Sequence, residues 1–301
     1  MDIKWFQDFL TLSEVLNFTR ASEIRNLSQA AFSRRIGSLE QMLGAKLIDR
    51  SSYPTRLTPA GEKFRGVAAQ IVSQIADAKA DLAGNQSRDK IKLAMPYALA
   101  TTRLPGWWDS WTSGQPLICA LETGNVHDIV SSFIAGNVDL LICFYHAASP
   151  IQIDPLLFES VELGRERVRP YASPALIEKI GMHASLGSAG NPAPLLMYSS
   201  SVYFARVVDQ IIEGSEVKLE GSPMFETEMS DVLGDLASQG LGVAWLPDSS
   251  FSQHRHWSLE PVGGGAWDTE VSILAFKPKN NLRPLVVRMW REILKYKEMR
   301  V

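Results

Sequence analysis

The sequence predicts a mixed α/β chain in three parts: a small helical head closed by a hairpin wing, one long linking helix, and a larger body of alternating strands and helices. Three observations carry this. Between Ser28 and Gly61, a helix with one apolar stripe and one small, cationic face leads into a short hairpin and a new helix start. From Pro59 onward, Phe64, Ala68, Ile71, Ile75, Ala78 and Leu82 recur at alternating steps of four and three, a coiled-coil-like seam that stops at Ala83-Gly84-Asn85-Gln86-Ser87. Beyond residue 89, apolar runs alternate with helical periods, as in a parallel sheet covered on both faces.

In the head, Phe32, Ile36, Leu39 and Leu43 fall on one helical face, with Ala30, Ser33, Arg34 and Gly37 opposite. Small residues there admit close backbone approach, and Ser33 and Arg34 can donate to base edges and phosphates. Ser28 is a good N-cap, and Gln29 sits in the exposed first turn. A shorter helix from Thr19 to Ile24, ended by Asn26, precedes it, and an earlier helix buries Trp5, Phe6, Phe9, Leu10 and Leu12. Two short helices around a tight turn make a helix-turn-helix, whose second helix enters the major groove. An ordinary three-helix bundle with surface arginines fits these helices equally well. The hairpin separates the two readings: residues 47–50 pair with 55–58 around Ser51 to Pro54, setting Arg50 and Arg56 on a wing, and Thr58-Pro59 starts the next helix. The candidate DNA contacts are therefore Gln29, Ser33, Arg34, Arg35, Arg50, Arg56 and Thr58.

The run Ser28-Gln29-Ala30-Ala31-Phe32-Ser33-Arg34-Arg35-Ile36, with Leu39-Glu40, Leu43-Gly44, Leu47-Ile48-Asp49-Arg50 and Leu57-Thr58-Pro59-Ala60-Gly61, resembles the N-terminus of LysR-type transcriptional regulators. Ala30 stands where the family usually has proline and Ser22 where it usually has alanine, departures that bear on sequence preference. The resemblance implies an N-terminal winged helix-turn-helix over residues 1–58, a dimerising linker helix over 59–88, and an effector-binding domain over 89–301. That domain would be two-lobed and periplasmic-binding-protein-like, with lobe 1 at 89–163 and 267–301 and lobe 2 at 164–266. It further implies paired heads reading two half-sites, and two dimers assembling as a homotetramer that bends promoter DNA, with the ligand altering the dimer arrangement.

Within the body, residues 90–95, 117–121 and 138–144 read as strands and 126–135 as a helix. The stretch from Leu121 through Gly124-Asn125 to Gly136-Asn137-Val138-Asp139 and the run Gly240-Leu241-Gly242-Val243-Ala244-Trp245-Leu246-Pro247 resemble the LysR effector domain. Its second lobe would leave near Gly164 and return through a flexible Gly263-Gly264-Gly265, which lacks the lysine of a phosphate loop. Ligands in such folds lie between the lobes, at the C-terminal ends of strands where helix N-termini point inward. That geometry nominates Tyr97, Ala98 and Leu99 after Pro96, then Thr123 and Asn125, then Phe144 and Tyr145. From the second lobe it nominates Ser199, Ser200, Tyr203, Thr227 and Met229. Hydroxyls with aromatics and methionine suit a small flat acid.

Charge is uneven along the 301 residues. Residues 1–65 hold ten Lys/Arg against seven acids, a net of +3, which leaves −6 of the chain's total of −3 for the rest. A basic head on an acidic body fits a DNA reader attached to something that does not touch DNA. Cys119 and Cys143 lie in apolar runs and imply core positions rather than a disulfide framework. No signal peptide or long apolar span is evident, so a cytoplasmic chain without membrane contact is expected. There is no H-E-x-x-H, G-x-S-x-G, P-loop or cysteine cluster, so neither an enzyme nor a cofactor is expected. His254 and His256 stand in a polar loop and are expected to be solvated. Trp107, Trp108 and Trp111 on one short helix are expected in the core or at a subunit contact. Two other readings stay open. Residues 5–12 and the run from Glu228-Met229-Ser230 to Leu246-Pro247 are similar to the hypochlorite-responsive branch of the family, which would make methionine or cysteine oxidation the signal. A DNA-binding module without a ligand is the other.

Overall fold

The computed structural model describes residues 2–51, 55–82, 90–181, 186–188, 190–252, 254 and 256–298. The described chain forms two compact units, residues 1–90 with 131–138, and residues 91–130 with 139–301.

The first unit opens with α1 (Ile3–Val15), where the Asp2 carboxylate accepts from the Lys4 N–H. Next comes α2 (Phe18–Ile24), one residue earlier than the sequence predicts, because the Asn17 side chain caps it by accepting from the Arg20 N–H. Asn26 turns the chain at a φ of 53°, and α3 (Gln29–Leu43) begins under the Ser28 hydroxyl, which accepts from the Ala31 N–H. Phe32, Ile36 and Leu39 are fully buried against Phe6, Phe9 and Leu12. Leu43 is 37% exposed, so the apolar stripe ends one turn before the helix does. β1 (Ile48–Asp49) pairs antiparallel with β2 (Arg56–Leu57) as the wing; the turn predicted at 51–54 lies mostly outside the described residues. α4 (Pro59–Leu82) follows without a break. Phe64 meets the rings of Phe6 and Phe9 at 5.8 and 5.4 Å, and Ile71 also packs on this core. Further along, Ile75 is partly covered and Ala78 is exposed; the Leu82 side chain and the predicted linker at 83–87 lie outside the described residues.

The second unit is built on β3 (Lys90–Met95), β4 (Ile118–Thr123), β5 (Leu140–Tyr145), β6 (Phe158–Ala172), β7 (Ala193–Tyr198), β8 (Gly221–Thr227), β9 (Val243–Pro247), β10 (Glu260–Pro261) and β11 (Thr269–Pro278). The sheet order is β4-β3-β5-β11-β6-β9-β7-β8, with β10 on β6. Pairing is parallel between β3 and β5 and between β7 and its neighbours β8 and β9, as alternating strands and helices require. The parallel sheet the sequence suggests is interrupted by antiparallel strands. The chain crosses from one half to the other on β6 and returns on β11, and this long antiparallel pair joins the halves. Gly164, in mid-β6, takes a φ of 156° where the register slips between Ile273 and Leu274. Gly263-Gly264-Gly265 makes a tight turn with all three residues at positive φ, which glycine alone adopts freely, and Gly263 lies against the Trp267 ring.

Around the sheet lie α5 (Tyr97–Thr102), α6 (Leu104–Thr112), α7 (Val126–Ile134), α8 (Pro174–Ile180), α9 (Tyr203–Gly214), α10 (Ser230–Ser238) and α11 (Pro284–Glu298). Trp107 and Trp111 stack at 5.3 Å and are buried in the core, while Trp108 is partly exposed. A buried Asp139 ties the start of β5 to neighbouring elements: it takes both its oxygens to Arg283 at 2.8 Å and accepts the Lys92 N–H at 2.9 Å.

Candidate DNA-reading face and effector cavity

The exposed face of α3 carries Gln29, Ala30 and Arg34, and a Cβ added at Gly37 would meet nothing, so this face is open to a close approach. Arg50 of the wing joins it. Its Nη1 donates to Ser33 Oγ at 3.2 Å and its guanidinium lies 4.9 Å from the Phe18 ring centroid. Arg56 is exposed on β2. Two nominated residues are occupied within the head. Arg35 turns inward, 3.1 Å from the buried Asp8 carboxylate, which Arg25 also engages at 2.7 Å. Thr58 Oγ1 donates to the Lys46 carbonyl at 2.6 Å and accepts from the Gly61 N–H at 3.0 Å, the cap that begins α4.

The sequence reading missed Glu40, although its position beside the apolar stripe marks it as half-facing the core. Its buried carboxylate accepts the backbone N–H groups of Leu47 and Ile48 at 2.9 and 3.2 Å and pairs with Lys46 at 3.3 Å. Wing and recognition helix are thereby fixed to one another. Gly61 closes the arrangement, since a Cβ there would sit 2.1 Å from the Leu47 carbonyl oxygen.

In the second unit, a cavity of about 290 Å³ opens where strand ends meet helix starts. One wall is Pro96, Tyr97, Ala98, Thr123 and Phe144, with Gly124, Asn125 and Val126 at the head of α7. The other is Tyr198, Val202, Tyr203 and Phe204 around the start of α9, with Glu228, Met229 and Ser230 leading into α10. Asn125 Nδ2 donates across to the Ser201 carbonyl at 2.9 Å. Tyr203 holds the same two walls together, its hydroxyl accepting from the His146 N–H at 2.6 Å and donating to the Ser149 carbonyl at 2.9 Å; burial pushes its pKa up to about 12. Burial likewise raises Tyr198, whose hydroxyl donates to the Trp245 carbonyl at 2.9 Å. Among the described lining residues there is no Lys, Arg or His, and the one acid, Glu228, is exposed and accepts from Ser201 Oγ at 3.2 Å.

Of the nominated ligand contacts, Tyr97, Ala98, Thr123, Asn125, Phe144, Tyr203 and Met229 come together here, and Leu99, Tyr145, Ser199, Ser200 and Thr227 do not line the cavity. Leu99 is fully buried, and the Ser199 N–H and the Thr227 carbonyl bond each other at 2.9 Å at the end of the β7–β8 pair. Tyr198, Phe204 and Ser230 were not nominated as ligand contacts. Each is next to or one residue from a nominated neighbour, and only the facing of side chains at a strand end, which sequence does not print, separates them.

His254 is not the solvated residue the sequence suggests. Its ring stacks on Trp257 at 4.1 Å and 10°, and Nε2 lies 3.9 Å from the Asp231 carboxylate. His256, more exposed, is 3.5 Å from Asp235. No group of three or more His, Cys, Asp or Glu suited to a metal ion is found among the described residues. Cys119 and Cys143 are free thiols, and burial pushes the Cys119 pKa up to about 11. No helix among the described residues is long and apolar enough to cross a membrane.

A winged helix-turn-helix joined to a two-lobed domain with an inter-lobe cavity defines a ligand-binding regulator of transcription. Models of two families match: the bacterial regulatory helix-turn-helix protein, lysR family, over residues 3–62, and the LysR substrate binding domain over residues 84–297. The chain belongs to the LysR family. It is 29% identical to the HTH-type transcriptional regulator YjiE of Escherichia coli over 298 residues, 97% of this chain and 94% of that one. Among solved structures it is similar to Vibrio fischeri DarR in complex with DNA, with 28% identity, a TM-score of 0.57, and 98% and 99% of the two chains covered. Full-length HypT of Salmonella typhimurium, described as a hypochlorite-specific LysR-type transcriptional regulator, shows 26% identity and a TM-score of 0.57 over 99% of both chains.

Proposed function

We propose that this chain is a cytoplasmic, non-enzymatic regulator that binds dyad-symmetric promoter DNA through Arg34, Arg50 and Arg56, and that a small effector in the cavity sets its activity. The carrying observation is the cavity itself: polar backbone at the starts of α7, α9 and α10 converges on a space otherwise walled by aromatic rings. Unsatisfied N–H groups at helix starts favour a carboxylate, and the rings favour a flat apolar body, so the effector is an aromatic or other small carboxylic acid. Its carboxylate belongs at the helix starts away from Glu228. Heads are paired through the linker helix, whose distal seam residues Ile75 and Ala78 are not fully covered within one chain, and dimers assemble as a tetramer.

A second reading has its own observation. Met229 lines the cavity and is 42% exposed, so an oxidant entering there reaches a thioether, and HypT is a relative described as hypochlorite-specific. Reporter assays with candidate acids and with hypochlorite separate the two. Under the first reading, Thr123→Val weakens the response to the acid by about 0.5–3 kcal/mol of binding and Met229→Leu responds normally. Under the second, Met229→Leu abolishes the hypochlorite response and Thr123→Val is silent. For the head, gel shifts at two salt concentrations should show Arg34→Ala losing about 1–3 kcal/mol on specific DNA. Arg56→Ala should weaken all sequences and flatten the salt slope. Unchanged binding by both variants overturns the DNA assignment.

A further inference from the structure

The acidic body is not acidic throughout. Its last 25 residues, from Lys277 onward, hold eight Lys/Arg against two acids, a net of +6. Residues 66–276, between this segment and the head, are left with −12. The chain is basic at both ends.

Part of the C-terminal charge is taken up inside the fold. Lys277 pairs with Glu159, Lys279 Nζ donates to the Pro155 carbonyl at 2.7 Å, and Arg283 engages both oxygens of Asp139. α11 sorts the rest by face. Leu285, Val286, Met289, Trp290, Ile293 and Tyr296 are buried, whereas Arg288, Arg291 and Lys295, at steps of three and four, are exposed along the other side. Neither Arg288 nor Arg291 has a hydrogen bond or ion pair among the described residues. Lys295 meets Glu292 at 2.8 Å but is 57% exposed, the kind of surface pair that holds a side chain weakly. Like charges four apart on a helix repel, so Arg291 and Lys295 stand together at a small cost that a polyanion reverses.

The spacing fits one polyanion. Seven residues of helix rise about 10 Å, and one strand of B-DNA carries a phosphate every ~3.4 Å, so these three cations match about three phosphates. Two of them are arginines, whose planar fork suits phosphate oxygens. A lipid surface fits less well, because the apolar side of α11 is packed in the core and leaves Leu294, 38% exposed, as its one exposed large apolar residue among those described.

We propose that this face of α11 is a second DNA-binding surface, which holds the phosphate backbone of duplex running past the half-sites and reads no bases. It depends on the head only to bring the duplex near. Heads bound to a promoter keep DNA within reach of the bodies they carry, so even weak phosphate contacts form.

Anisotropy titrations of the full-length chain over a range of salt test this, with scrambled duplexes of about 20 base pairs, the span of two half-sites, and of about 80 base pairs. In wild type, the slope of log affinity against log salt should be steeper on the long duplex. Each phosphate contact carries about 0.9 of slope, so Arg288→Gln/Arg291→Gln/Lys295→Gln should lose about 2–3 on the long duplex and nothing on the short one. Arg288→Lys/Arg291→Lys, which keeps the charge, should hold the wild-type slope. Arg56→Ala, on the wing, should lose slope on both lengths, which separates a failure of the head's reading from a failure here. An unchanged slope for the triple variant on the long duplex overturns the proposal. So does an equal loss on both lengths, the mark of altered net charge alone. A changed sedimentation size with an unchanged slope gives this face to an acidic surface of a second copy instead, and is a refutation. Should the triple variant misfold by circular dichroism, the single Arg288→Gln still decides, with an expected loss of about 0.9 on the long duplex.

Discussion

The carboxylate of Glu40 and that of Asp8 divide the arginines of the head into two groups. Asp8, fully buried, draws Arg25 and Arg35 inward, where they brace α1 against α2 and α3. Glu40 takes the wing's backbone and also lies 3.7 Å from Arg50, holding that guanidinium over Ser33 on the outer face. Net charge alone treats these cations alike, but their partners assign them different work. Arg35→Ala should therefore cost about 1–2 kcal/mol of stability and leave the salt slope of DNA binding as in wild type. Urea melts paired with anisotropy titrations at several ionic strengths read the two effects separately. A reduced salt slope would place Arg35 on the phosphates instead.

At the scale of elements, the first turn of α10 is where charge and packing meet. Burial raises the Asp231 carboxyl, the His254 charge opposes this, and Asp235 adds to it. A carboxyl whose pKa is higher folded than unfolded stabilises fully while protonated, and that contribution is lost as pH rises through the folded value. Asp231→Asn stays neutral throughout. Its melting temperature should gain on wild type between about pH 4 and pH 8, and a constant difference across that window would contradict the burial argument. This element also shows how far sequence reading reaches. That Met229 stands at a helix start was legible, and α10 begins at Ser230 directly after it. The stacking of His254 on Trp257 was not, because a loop lacks the periodicity that assigns faces. The same contrast holds elsewhere. Phe32, Ile36 and Leu39 declared their burial by spacing, whereas which of Thr227, Glu228 and Met229 turns into the cavity depends on how β8 meets α10. The antiparallel return of β11 between β5 and β6 was hidden too, because strand order is set by partners far away in sequence.

At the scale of the whole molecule, the linker helix carries the assembly argument. Ile71 is packed on the head's own core, so a charge there would test folding as much as association. Ile75 and Ala78 avoid that difficulty. Replacing both with Asp should place like charges in the inter-chain seam, and sedimentation should give a smaller species with unchanged circular dichroism. Wild-type size in the double variant would move the contact elsewhere.

The position of β11 at the centre of the sheet also orders events in time. Chains fold as they are synthesised, N-terminal portions first. The partners described for the head's recognition surface and core lie in residues through α4, so the head can mature early. The central strand between β5 and β6 arrives only with residues 269–278. Until it emerges from the ribosome, both neighbours present unpaired edges, the kind of surface that invites mispairing and chaperone capture. A nascent chain would accordingly hold a formed head before the sheet of its body closes, and quality control falls on the segment that carries β11.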